Sequence, residues 1–134
     1  MVRSVLEGVA YNSRWLLTYV EQFIGRKLEA IRIIGGGARS RLWCQIHADV
    51  LGRRIQVVDE PVLANARGAA FQAAVALGHL KVEEIPSLVG IARTFEPDPR
   101  NRAVYDELFR EFVNLYKANK AIFARLNRAR ARSA

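Results

Sequence analysis

A chain of 134 residues, 51% hydrophobic and 25% charged, has the size and balance of one globular domain and is neither disordered nor fibrous in composition. No apolar run approaches the roughly 20 residues needed to span a bilayer, and residues 1–7 lack the basic-then-apolar layout of a secretory signal. The formal net charge of +8 gathers at the C-terminal end, where no acidic residue follows Glu111 and Lys117, Lys120, Arg125, Arg128, Arg130 and Arg132 are all basic.

From Val2 to Ile24 apolar residues recur at helical spacing, with Val2, Leu6, Val9, Leu16, Val20 and Phe23 or Ile24 on one stripe, and Gly25 is a natural stop. Residues 30–34 (Ala-Ile-Arg-Ile-Ile) form a β-branched run that reads as a largely buried strand, ended by three consecutive glycines. Ser40 is placed to cap a second helix carrying Leu42, Trp43, Ile46 and Val50, with Gly52 as its C-terminal break. Residues 55–58 read as a second strand, closed by Asp59, Glu60 and Pro61. Asn65 is placed to cap a third helix over 66–77, rich in small residues and ended by Gly78. Residues 79–98 read as a connector with a short helical turn near Val82 to Leu88. Asp98-Pro99 then opens a long last helix, with Pro at its first position and a stripe of Tyr105, Leu108, Phe109, Phe112, Tyr116, Phe123 and Leu126.

The order is α-β-α-β-α followed by a long α, an α/β pattern. Two strands joined by a helical crossover lie parallel, yet two strands alone do not make a stable sheet. Ile31, Ile33 and Ile34 therefore ask for neighbours, and the chain reads as a piece of a larger sheet.

The strongest local signal is strand, Gly35-Gly36-Gly37-Ala38, then helix. Glycines permit positive φ and close backbone approach, and the helix start that follows presents free N–H groups suited to a nucleotide. The alternative is a tight structural turn. A rival layout also exists: strand, glycine turn, helix, strand and Asp59 resembles a dinucleotide-binding unit, except that Ser40 stands where the third glycine is needed. Catalytic candidates are thin. His47, on a partly exposed helix face, and His79 lack further ligands at metal spacing; Cys44 has no evident base and reads as a small packed residue; Asp49, Asp59 and Glu60 read as surface or capping carboxylates. The single cysteine excludes an intrachain disulfide and suits a reducing, cytoplasmic setting. The basic tail reads as a solvated helix end rather than a nucleic-acid surface, because no recognition module or basic–aromatic interleaving accompanies it.

The run from Ile33 through Gly35-Gly36-Gly37-Ala38-Arg39-Ser40-Arg41-Leu42-Trp43-Cys44-Gln45-Ile46-His47-Ala48-Asp49 to Gly52 resembles the adenosine-binding motif of the FGGY carbohydrate kinases, most closely the xylulokinases among them. Arg3 to Tyr11 resembles the helix before that motif, Gly68-Ala69-Ala70 the helix after it, and Pro97-Asp98-Pro99 with Tyr105 to Tyr116 the C-terminal end. The resemblance implies the C-terminal portion of an actin-like (ribonuclease H-like) ATPase lobe, an incomplete parallel sheet flanked by helices. It implies a partial kinase domain over 1–134, with a nucleotide-binding part at 1–96 and a C-terminal helix at 97–134.

These kinases transfer the γ-phosphate of ATP to a sugar hydroxyl, largely by positioning and charge stabilisation. By resemblance, the glycine turn from Gly35 through Gly36, Gly37 and Ala38 lines the adenosine pocket, and Arg41 stands where some relatives place an adenine-contacting Asn. The catalytic aspartate, the sugar-binding lobe, the phosphate turns and most ligands of Mg are expected upstream of Met1. The expected partners are ATP or ADP, and a xylulose-like sugar only with the missing lobe. The chain alone is expected not to phosphorylate sugar, and its open strand edge invites self-association. A non-catalytic nucleotide- or partner-binding remnant is the alternative.

Overall fold

The computed structural model describes residues 2–131, with side chains as far as residue 127, so Arg128, Arg130 and Arg132 of the basic end lie outside the described side chains. The elements are α1 (Val2–Ile24), β1 (Ala30–Ile33), α2 (Arg41–Leu51), β2 (Arg54–Val58), α3 (Ala64–Ala76), β3 (Ile91–Phe95) and α4 (Arg102–Ala131). Short 3-10 turns cover Gly36–Arg39, Pro61–Leu63, Val82–Leu88 and Pro99–Asn101.

Local signals set most boundaries. The Ser40 side chain accepts from the Trp43 N–H at 3.3 Å and starts α2, and Gly52 ends it at φ 62°, a left-handed conformation that glycine adopts at no steric cost. Asp98 caps the turn that leads into α4, accepting from the Arg100 N–H at 2.9 Å. Asn65 does not cap α3. The 3-10 turn that begins at Pro61 runs straight into the helix, so Asn65 lies inside the first turn with no side-chain cap formed.

The sheet has the order β1-β2-β3. β1 and β2 are parallel, with Ile31 opposite Ile55 and Ile33 opposite Val57. β3 joins the other side of β2 antiparallel, with Phe95 opposite Ile55, making the sheet mixed rather than wholly parallel and adding a strand within the stretch read as a connector. Its sequence, Ile-Ala-Arg-Thr-Phe, carries large apolar residues only at the ends, too weak an alternation to announce a strand; the open edge of β2 supplies the pairing.

Side-chain alternation gives the sheet one apolar and one polar face. Ile31, Ile33, Ile55, Val57 and Phe95 belong to the core cluster, while Arg32, Gln56 and Thr94 align in register on the opposite face. Ile31 and Ile33 thus find neighbours within the chain. Those neighbours lie on α2, whose Cys44, Ile46, Ala48, Val50 and Leu51 are all buried between the sheet and the helical pair α1/α4. Burying each Ile or Val here contributes roughly 1.5–3 kcal/mol. Every residue from Ile46 to Leu51 is buried, His47 and Asp49 included, because the helix is covered on nearly all sides.

α1 turns a different face inward from the one its apolar stripe suggests. Ala10 and Tyr11 are buried, with Leu6 and Leu17 packed against them, whereas Val2, Val9, Leu16, Val20 and Phe23 are exposed. Aromatic packing decides this: Tyr11 meets Tyr105 edge-on at 6.2 Å, and Trp15 meets Tyr116 at 5.1 Å. Arg14 reinforces the crossing by stacking 4.4 Å over the Phe109 ring while pairing with Asp106. α3 has no buried residue, so its small-residue surface is unused within this chain. Among the described residues no helix is long and apolar enough to cross a membrane.

Candidate functional site

Both parallel strands end on the same side of the sheet, and the loops that follow them lie together there. Open α/β sheets bind ligands at this carboxyl end. The Gly35 N–H donates to the Pro61 carbonyl at 2.7 Å, tying the glycine turn after β1 to the turn after β2. Gly35 has φ 82° and ψ −173°, a combination essentially restricted to glycine. The backbone then coils tightly: the Ala38 N–H donates to Gly35 O at 3.2 Å and the Ser40 N–H to Gly37 O at 3.1 Å.

The residues of this turn divide into two groups. Gly36 is exposed, and a Cβ placed on it would meet nothing within 4 Å. Arg41 is also exposed, at the first position of α2. Gly37 and Ala38 instead face protein. A Cβ on Gly37 would fall 2.3 Å from Cζ3 of Trp43, so the indole packs directly against the turn. Ala38 is 1% exposed and belongs to the core cluster. The structure therefore brings Gly35, Gly36, Gly37 and Ala38 into one ledge, with Gly36 as its open backbone and Arg41 at its side. A glycine with open space above it suits a flat ligand face approaching the backbone.

The side chains behind the ledge are structural. Cys44 is fully buried, its thiol reaches Ala38 O at 3.5 Å, and burial pushes its pKa up, which keeps it protonated and unreactive. His47 is buried rather than partly exposed: its ring lies 5.4 Å from that of Trp43, and Nδ1 donates to the Trp43 carbonyl at 2.9 Å. Burial lowers its pKa, so the neutral ring is the folded form. Asp49, 5% exposed, accepts from Gln45 Nε2 at 2.8 Å, the Asp98 N–H at 2.8 Å and Asn101 Nδ2 at 2.9 Å. It is a capping carboxylate, one that pins the entrance of α4 to α2.

Asp59, Glu60 and His79 are exposed. Asp59 contributes its carbonyl, which accepts from Arg67 at 3.0 Å, and Glu60 sits at φ 41° where the chain turns from β2 into Pro61. Among the described residues no three His, Cys, Asp or Glu side chains gather as metal ligands would. Sequence reasoning missed the two supports of the ledge, the Trp43 indole and the Pro61 carbonyl. A tryptophan two residues into a capped helix gives some signal of packing back on its own turn; a backbone carbonyl gives none.

The sequence profile described as FGGY family of carbohydrate kinases, C-terminal domain, matches residues 1–77, which is α1 through α3 and includes the whole ledge. The chain belongs to the FGGY family of carbohydrate kinases. It is 31% identical over 129 residues to a xylulose kinase of Staphylococcus epidermidis, covering 92% of this chain and 25% of that protein. It is 39% identical over 100 residues to glycerol kinase 2 of Thermotoga maritima, covering 72% and 20% respectively. Among solved structures, ligand-bound xylulose kinase from Lactobacillus acidophilus superposes with TM-score 0.77 at 26% identity, over 94% of this chain and 26% of that one. Xylulose kinase from Rhodospirillum rubrum gives TM-score 0.68 at 32% identity, over 91% and 25%.

The chain thus spans about a quarter of the length of the curated relatives it matches. Its architecture is the C-terminal portion of the actin-like (ribonuclease H-like) ATPase fold of FGGY kinases. The likeness extends past residue 77 to β3 and α4, which the structural superpositions include. It also sets aside the dinucleotide-binding reading, which Ser40 already opposed.

Proposed function

We propose that this chain is the adenosine-binding C-terminal portion of an ATP-dependent sugar kinase acting on a pentulose such as xylulose. The observation that carries the reading is the ledge itself: exposed, unobstructed Gly36 backbone at the carboxyl end of a parallel strand pair, buttressed from behind by Trp43 and pinned by Pro61. The residues fit the nucleoside end of ATP. Gly35 and Gly36 offer backbone that a ring can approach, Gly37 lets the Trp43 indole pack against the turn, Ala38 fixes it in the core, and Arg41 flanks it. ATP, when bound, supplies the γ-phosphoryl group. The catalytic base, the sugar ligands and the ligands of Mg belong to the remainder of such a kinase, and the open outer edge of β1 is where its sheet continues. A reducing cytoplasm is the setting that suits the one buried thiol.

A xylulose-like substrate is supported by the xylulose kinases among both the sequence relatives and the superposed structures, and glycerol, whose kinases recur among the sequence relatives at up to 39% identity, is the second candidate. Calorimetric titration with ATP, ADP and NAD tests the site: the adenine nucleotides Mg-ATP and ADP bind and NAD does not. Tighter NAD binding than ATP binding sinks the assignment. A coupled ADP-release assay with xylulose should show no turnover by the 134-residue chain alone. Sugar-dependent ADP release would contradict the claim that the base lies elsewhere.

A further inference from the structure

At the end of the sheet opposite the ledge, where β1 and β2 begin, the later half of α1, the end of α2 and the start of α4 enclose a cavity of about 160 Å³. Its walls are polar and mostly cationic, with Arg14, Thr18, Glu21, Lys27, Arg53 and Arg102 among them. Two carboxylates oppose these four cations, Glu21 in the wall and Asp106 paired with Arg14 and Arg102. An excess of two positive charges remains.

The ion pairs fix the cations without exhausting them. Glu21 accepts from Arg53 Nε at 3.0 Å and Nη2 at 2.8 Å, and Arg53 Nη1 donates to the Gly52 carbonyl at 2.9 Å. Arg14 is pinned by Asp106 and by the Tyr105 carbonyl. Arg53 and Arg14 lie deep, their side chains 19% and 15% exposed. Arg102 stands at the mouth, its Nε donating to Asp106 at 2.9 Å. Among the described residues neither its Nη1 and Nη2 nor the Lys27 ammonium has a hydrogen-bond partner.

Gly52 makes room for this arrangement. A Cβ there would fall 1.9 Å from Nη1 of Arg102, so bare backbone lets the guanidinium lie across the end of α2. Cations near a helix C-terminus complement its carbonyls, which accounts for Arg53. It does not account for Arg102 or Lys27, which donate to no carbonyl. A guanidinium fork held at its Nε, beside an ammonium, matches the oxygens of a phosphate group. A groove of about 390 Å³ adjoins the cavity, shares Lys27 and Arg53 with it, and is also lined by Leu28, Glu29, Gly52 and Pro97. Its Glu96 is already paired with Arg54 at 2.7 Å.

We propose that this cavity binds a phosphate group, either the free ion or one carried on a small metabolite whose body lies in the groove. Arg102 and Lys27 donate to its oxygens, and Arg14 and Arg53 supply fixed charge behind them. The site is remote from the ledge, and the inference stands whether or not the ledge takes a nucleotide.

Phosphorus NMR and calorimetric titration of the full chain at constant ionic strength test this, with inorganic phosphate and ribose 5-phosphate as probes. Saturable binding of one equivalent is expected. Arg102→Gln should weaken it by about tenfold or more, as loss of a charge-assisted contact does. Lys27→Gln, which has no hydrogen bond within the chain to lose, should weaken it by about threefold or more at unchanged Tm, so a folding defect cannot imitate the effect. Replacing Lys117 and Lys120 of the projecting basic helix by Gln should leave binding as it was. Tighter binding of ribose 5-phosphate than of phosphate assigns the metabolite, and affinity no greater assigns the free ion. Three results overturn the proposal: no saturable binding of either probe, affinity indifferent to both the Arg102 and the Lys27 changes, or loss of binding in the Lys117/Lys120 variant.

Discussion

Replacing the glycines of the ledge one at a time separates backbone that the fold requires from backbone that a ligand requires. In Gly37→Ala the new Cβ falls 2.3 Å and 2.7 Å from two carbons of the Trp43 ring, closer than such atoms approach. The indole is backed by the His47 ring at 5.4 Å, so it yields only by disturbing the core. Overpacking of this kind costs typically 1–3 kcal/mol. Taking about 2 kcal/mol, a chain of this size should lose about 5–10 °C in Tm.

Gly36→Ala meets nothing within 4 Å, and Gly36 is not among the glycines at positive φ. Its stability should stay within about 0.5 kcal/mol of wild type, or rise slightly through lower entropy of the unfolded chain. Gly36→Val should likewise fold, yet its side chain would occupy the ledge and weaken ATP binding by about tenfold or more. Trp43→Leu in the Gly37→Ala background should recover part of the lost stability by opening the space the methyl needs. Differential scanning calorimetry and ATP titration on the four variants are sufficient. A Gly37→Ala protein as stable as wild type refutes the packing argument, and unchanged ATP affinity in Gly36→Val refutes the ligand role.

Two further outcomes follow from carboxylates that tie elements together away from the ledge. Asp49→Ala leaves three donors without their carboxylate and should cost about 3 kcal/mol in urea unfolding, while Asp49→Asn, keeping one acceptor, should cost about half of that; equal stability of both with wild type would dissolve the node. Glu21 accepts from Arg53 Nε at 3.0 Å, Arg53 Nη2 at 2.8 Å and the Leu28 N–H at 2.8 Å, and the Arg53 hydrogen bonds hold its carboxyl below its ordinary value of 4.5. A depressed carboxylate contributes stability that is present above the unfolded value and is lost as pH falls through the folded one. Glu21→Gln should therefore be less stable than wild type at pH 7 and show a flatter loss of stability between pH 5 and acid conditions. Parallel acid-unfolding curves for the two proteins would remove the pair from the pH dependence.

Local chemistry alone determined the ends of α1, the Ser40 cap, the Gly52 stop and the glycine turn, because each depends on residues a few positions apart, and the single helix between β1 and β2 made their pairing parallel. The sequence of the ledge was legible for the same reason, and its in-register likeness to one family carried the reading from turn to nucleotide. Tertiary structure decided what depends on distant partners. β3 forms because the edge of β2 offers a ladder that Ile91 to Phe95 could not announce. α1 carries apolar residues around much of its circumference, and packing of Tyr11 and Trp15 on the aromatic residues of α4 selects the face that goes inside. His47 is buried because α2 is covered by sheet on one side and helices on the other, a fact absent from its own turn. The division within Gly35-Gly36-Gly37-Ala38 also belongs to packing: Trp43 fills the space over Gly37 and leaves the space over Gly36 open. Spacing names a glycine turn, but only the side chain behind it shows which glycine is covered and which is left open.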